Sequence, residues 1–146
     1  MNSSSFEAKN KSLAEISKII RRRVVTTSSI SKIPHLGSCL SCVDILVSLY
    51  WDELRIESKE PNNISRDRFV LSKGHGAPVL FQVLAERGFF DKDRLDDFGM
   101  DGSVFHEHPP KPGFIPGVEA ATGSLGHGLP MALGLALAGR IKKLDY

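Results

Sequence analysis

The chain has 146 residues, 41% of them hydrophobic, enough for one core, since a domain of this size buries about 70% of the surface its unfolded form exposes. Nineteen basic against seventeen acidic residues leave a net charge of +2, too even a balance to point to nucleic acid as a partner. No stretch approaches the roughly 18 consecutive apolar residues of a membrane span, and Met1-Asn2-Ser3-Ser4-Ser5 lacks the apolar core of a signal peptide, so a cytoplasmic protein without a membrane partner is expected.

In chain order, residues 1–10 read as a disordered start and residues 11–146 as one domain segment. From Lys11 to about Ser31, Leu13, Ile16, Ile20, Val24 and Thr27 recur at steps of three and four, the period of an amphipathic helix. Arg21-Arg22-Arg23 within it reads as a solvated flank rather than a nucleic-acid contact. Pro34 and Gly37 then break the helix and place His35 on a turn. Ser38 or Ser41 is positioned to cap a second helix with Val43, Leu46, Val47, Tyr50 and Trp51 on its apolar face. Cys39 and Cys42 have C-x-x-C spacing, but no second pair completes a zinc site and no thioredoxin-like pattern surrounds them; they read as small residues packing a helix start.

After a loop at Asn62-Asn63, Arg68-Phe69-Val70-Leu71 is a strand expectation that stops at Ser72 and Gly74. A helix from Ala77 to Arg87 follows, with Leu80, Val83 and Leu84 inward and Gly88 closing it. Asp91 is expected to cap a short polar helix to Phe98, and Gly99 to Gly117 holds four prolines without periodicity, a long loop of the kind that carries function. Leu129 to Leu144 is apolar on every side, which predicts a helix buried all round, with Pro130 in its first turn. A helix in a βα alternation should feed a further strand, so a truncated polypeptide is expected.

Three strings join glycine turns to imidazoles: Ser72-Lys73-Gly74-His75-Gly76, the stretch from Gly102 to Pro109 with His106-Glu107-His108, and Ala121-Thr122-Gly123-Ser124-Leu125-Gly126-His127-Gly128. The first and third stand where helices begin, where free N–H groups and the helix dipole hold anions such as phosphate. A capping histidine between turn glycines and tight helix packing explain the same residues, and the local sequence leaves both readings open. His-Glu-His on a loop is not a zinc spacing; a histidine there suits proton transfer or hydroxyl binding, because imidazole both donates and accepts near neutral pH.

Taken in order from about Leu13 to Tyr146, these motifs resemble the N-terminal part of the transketolase family. The resemblance rests on a His-x-Gly turn at His35, Arg68-Phe69-Val70-Leu71-Ser72-Lys73-Gly74-His75, a Gly-Ser with a downstream His-Pro, Pro116-Gly117-Val118-Glu119, and Thr122-Gly123-Ser124-Leu125-Gly126-x-Gly128. It is most similar to the shorter two-subunit or bacterial form. The resemblance implies an α/β thiamine-diphosphate-binding fold, a parallel sheet flanked by helices, helix-rich here and incomplete. It implies transfer of a two-carbon ketol unit between a ketose and an aldose, with sugar phosphates as substrates. His75 would bind the cofactor diphosphate with the backbone of Gly123, Ser124 and Leu125, while His35 and His108 would line the substrate funnel. The family's magnesium-binding Gly-Asp-Gly and the glutamate that activates the aminopyrimidine do not occur here, so metal ligands and a pyrimidine-binding half are expected from elsewhere. A homodimer or a dimer of two-chain units is also implied.

Three positions depart from the family pattern: Pro34 and Glu107 stand where members often have glycine, and His127 where many have glutamine. Rival readings are another thiamine enzyme, such as deoxyxylulose-phosphate synthase or a dehydrogenase E1 subunit, and a non-catalytic or partner-binding remnant of a transketolase-like gene. The string before His75 and the Gly-Ser-Leu-Gly turn favour transketolase.

Overall fold

The computed structural model describes residues 11–146, so the expected disordered start lies outside the described residues. Helix α1 spans Leu13–Ser31 and begins with a reciprocal cap, in which the Ser12 hydroxyl accepts from the Glu15 N–H and the Glu15 carboxylate accepts from the Ser12 N–H. Ile16, Ile20 and Val24, one helical turn apart, are buried, as the periodicity predicts. Leu13 is exposed, and the inner face is completed by Ser17 and Ser28.

The second helix is broken where one continuous element was expected. Helix α2 spans Leu36–Leu40, a turn at Ser41 and Cys42 follows, and α3 spans Val43–Ser48 before widening into a π-turn over Leu49–Glu53. Neither Ser38 nor Ser41 caps by its side chain; the Ser41 hydroxyl instead donates to the Ser38 carbonyl. Val43, Leu46, Val47 and Tyr50 are buried and meet α1.

A 3₁₀ turn at Gly74–Gly76 leads into α4, Ala77–Arg87, which ends on Gly88 at φ 85°, a left-handed C-terminal residue that glycine adopts without strain. Every residue of α4 from Ala77 to Ala85 is buried. The reason is position, since α1, α2 and α3 all pack on it. Beyond it, Phe81, Phe98, Phe105 and Phe90 form an aromatic run with neighbouring ring centroids 5.2–6.1 Å apart. The short polar helix after Asp91 is a 3₁₀ turn over Lys92–Leu95, and the Asp91 side chain does not cap it.

Two expectations are corrected. Among the described residues there is no strand: Arg68–Leu71 has no regular structure, because a strand needs a neighbour to ladder with. The neighbouring segment reaches it through side chains only, by the Thr122 hydroxyl donating to the Leu71 carbonyl at 2.7 Å and by an ion pair between Arg66 and Glu119. Second, the apolar helix expected to be buried all round, α5 over Gly128–Lys142, is buried only at Gly128 and Gly139. Leu129, Leu133, Leu137 and Ile141 form a row at four-residue spacing that is 49–81% exposed. No described helix packs extensively against it; its inner side meets Ser72 at Gly128 and Tyr146 at Gly139. The helix buried on all sides is α4.

Among the described residues no helix is long and apolar enough to cross a membrane.

Candidate functional site

The three glycine and histidine strings converge. Gly74 lies against the Thr122–Gly123 backbone so closely that a Cβ there would stand 2.4 Å from the Thr122 carbonyl oxygen. Gly128 does the same against Ser72, where a Cβ would meet the Ser72 Cα at 2.4 Å. These glycines are required by close approach, and with the Thr122 to Leu71 hydrogen bond they lock the turn carrying His75 onto the turn that starts α5.

Three imidazoles gather on this junction. His75, half-buried in its 3₁₀ turn, has the His35 ring at 4.5 Å and the His108 ring at 4.7 Å between centroids, both edge to face. His35 is held at φ 72°, a left-handed conformation unusual outside glycine, and immediately precedes α2, where its carbonyl accepts from the Cys39 N–H at 3.2 Å. His108 comes from the proline-rich loop and covers Gly123, where a Cβ would be 3.5 Å from the His108 Cδ2. Partial burial pushes the His75 pKa below the usual histidine value, helped by the positive charge His35 and His108 would carry and opposed by Glu107. The cluster therefore favours an uncharged His75, able to donate and accept at neutral pH.

Of the residues singled out from sequence, His35, His75, His108 and Gly123 meet in one place. Ser124 and Leu125 lie on the exposed turn leading to α5, where the Ser124 carbonyl accepts from the His127 N–H at 3.2 Å. His106 and His127 are exposed and stand outside the ring contacts. Sequence reasoning assigned no role at the site to Cys39, which is buried beneath it with its thiol donating to the His75 carbonyl at 3.7 Å. Its only signal was a position four residues after His35.

Arg21 pairs with Asp44, and Arg23 lies 3.9 Å from Glu86, which also binds Lys92 at 2.7 Å. A groove of about 680 Å³ runs past these residues, lined by Arg22, Thr26, Thr27, Gln82 and Lys92 among others. None of the clustered histidines lines it.

Fold and site together define a helical domain segment in which three imidazoles gather on a junction of glycine backbone. The family described as "Transketolase, thiamine diphosphate binding domain" matches residues 13–146, and the chain belongs to it. It is 40% identical over 126 residues to a subunit of the apulose-4-phosphate transketolase of Phocaeicola vulgatus, covering 86% of this chain and 44% of that protein. It is 43% identical over 107 residues to the Homo sapiens transketolase, covering 73% of this chain and 17% of that one. The solved transketolase from Leishmania mexicana superimposes with a TM-score of 0.81 at 32% identity, over 88% of this chain and 19% of that one. The chain thus spans less than half the length of these relatives.

The residues present fit a diphosphate group. The turn after Gly123 offers open backbone, with nothing within 4 Å of a Cβ at Gly126, beside an imidazole kept neutral and able to donate. A divalent ion is a different matter: among the described residues no group of three or more His, Cys, Asp or Glu side chains is placed to hold one.

Proposed function

We propose that this chain is the N-terminal segment of a thiamine-diphosphate-dependent transketolase, transferring a two-carbon ketol unit from a ketose to an aldose, with sugar phosphates as substrates. The observation that carries the reading is the convergence of His35, His75 and His108 on the Gly123 backbone. His75 donates to the cofactor diphosphate, and the N–H groups of Gly123, Ser124 and Leu125 close over it. His35 and His108, on either side of His75, hydrogen-bond the hydroxyl and carbonyl of the donor sugar and move its protons, since an imidazole carries both a donor and an acceptor nitrogen. The bound cofactor supplies an electron sink for carbon–carbon cleavage, and the protein positions it.

The reading includes magnesium, a hard cation whose oxygen ligands come from residues outside these 146, and a cytoplasmic location. It also includes a partner half that binds the pyrimidine, on the same or a second chain, assembled as a homodimer or a dimer of two-chain units. Relatives named as single subunits of a transketolase support the two-chain form. The parallel sheet of the complete α/β fold is assigned to that assembly, in which Arg68–Leu71 gains a ladder partner. A second reading, a partner-binding remnant without catalysis, is favoured by the exposed apolar row on α5.

Calorimetry with thiamine diphosphate and magnesium separates the two. The chain alone should bind weakly and bind tightly once the remaining transketolase segments are added; His75→Ala in the completed assembly should weaken cofactor affinity about tenfold, or about 1.4 kcal/mol. An assembly that forms and binds no cofactor would establish the remnant instead.

A further inference from the structure

Beneath the histidine cluster, the buried free thiol Cys39 is followed by the Ser41–Cys42 turn, which carries a second free thiol. The Cys42 N–H donates to the Cys39 carbonyl at 3.1 Å, closing a turn across the Cys39–Cys42 step. Turns of this kind hold their end Cα atoms less than about 7 Å apart, which overlaps the roughly 4.4–6.8 Å a disulfide requires. The two thiols differ in access: Cys42 is partly exposed, and Cys39 is buried. Each now donates to a different carbonyl, Cys42 to Ser38 at 3.3 Å and Cys39 to His75 at 3.7 Å. The turn also carries a cation, since the Lys73 ammonium donates to the Ser41 hydroxyl at 2.9 Å, between the cysteine pair and the His75 turn.

We infer that Cys39 and Cys42 are a thiol modification site that a small-molecule disulfide oxidises to an intramolecular disulfide, withdrawing the Cys39 thiol from the His75 carbonyl. Cys42, the accessible sulfur, gives up its proton and attacks one sulfur of the external disulfide; that bond breaks, and one small thiol leaves with the proton. Cys39 then loses its proton and attacks the Cys42 sulfur, forming the Cys39–Cys42 bond and releasing the second small thiol with that proton. Two cysteine thiols are oxidised and one small disulfide is reduced to two thiols. Burial raises the Cys39 pKa, and the Lys73 charge works against it in favour of the Cys39 thiolate that the closing step requires. The histidine cluster registers the change because the bond that oxidation removes ends on the His75 backbone.

The test treats the 146-residue chain with oxidised glutathione, quenches with acid, alkylates under denaturing conditions and measures the intact mass. The expected product lacks two hydrogens, takes up no alkyl group, and regains two alkylatable thiols after dithiothreitol. Cys39→Ser should stop as a glutathione adduct on Cys42, and Cys42→Ser should react about tenfold or more slowly, because buried Cys39 must wait for local opening. Wild-type protein that keeps both thiols, or accumulates the adduct without closing it, overturns the site, and this result needs no variant to fold. Oxidation should also shift the ring resonances of His75 and leave those of exposed His106 in place; an unmoved His75 overturns the link to the cluster.

Discussion

His75 sits where three constraints meet. Partial burial and two neighbouring imidazoles disfavour its cation, so its proton is lost below the ordinary histidine pKa of about 6.5. Its ring signals should titrate with a midpoint below that value in a proton NMR series, and His35→Asn, which removes one like-charged neighbour, should raise the midpoint. Stability is linked to the same proton. Below the ordinary value the unfolded chain takes up a proton that the folded chain resists, so His75 lowers stability as pH falls through that value and contributes nothing to the pH dependence well above it. A denaturant series from neutral pH to pH 5 on wild type and His75→Gln would register this as a smaller loss in the variant. Gly74 is the remaining constraint: Gly74→Ala puts a methyl into the Thr122 carbonyl, and the expected outcome is a loss of roughly 1–3 kcal/mol in urea unfolding. The histidines were legible in the sequence because imidazole beside glycine is chemically conspicuous. The close approach of Gly74 to Thr122 was not, because nothing local in either segment specifies the other.

At the scale of elements, the burial of helices divides by neighbours rather than by composition. Helix α4 is covered on all sides by α1, α2 and α3, so Phe81→Ala should cost about 3–5 kcal/mol. Ser12→Ala, by contrast, removes only the first-turn cap of α1 and should cost about 1 kcal/mol; chemical denaturation of the pair checks both figures. Periodicity located α1, and local composition with turn residues located α4 and α5, to within a few residues, since these signals are local properties. It could not see that Ser41 and Cys42 break the second helix, nor that apolar α5 lacks a cover. Likewise the apolar run at Arg68–Leu71 has the composition of a strand, and composition does not supply a ladder partner.

Across the whole molecule, the segment before His75 and the segment before Gly123 are held together by Arg66 with Glu119, both largely buried, and by Thr122 with Leu71. Glu119→Gln leaves the Arg66 charge without its partner, and a destabilisation of about 3–5 kcal/mol is expected in thermal or urea unfolding. The exposed row Leu129, Leu133, Leu137 and Ile141 leaves a large apolar surface in water. The double variant Leu133→Gln with Leu137→Gln should therefore reduce binding of an apolar fluorescent dye by about half.

The hydrogen bond from Thr122 to Leu71 spans 51 positions of sequence, and the core closes over a similar distance, since the Gln82 amide of α4 donates to the Thr27 hydroxyl of α1 from 55 positions away. Bringing such distant segments together costs loop entropy before any contact offsets it, so core and histidine cluster carry the same cost of closure and are expected to form together rather than one upon the other.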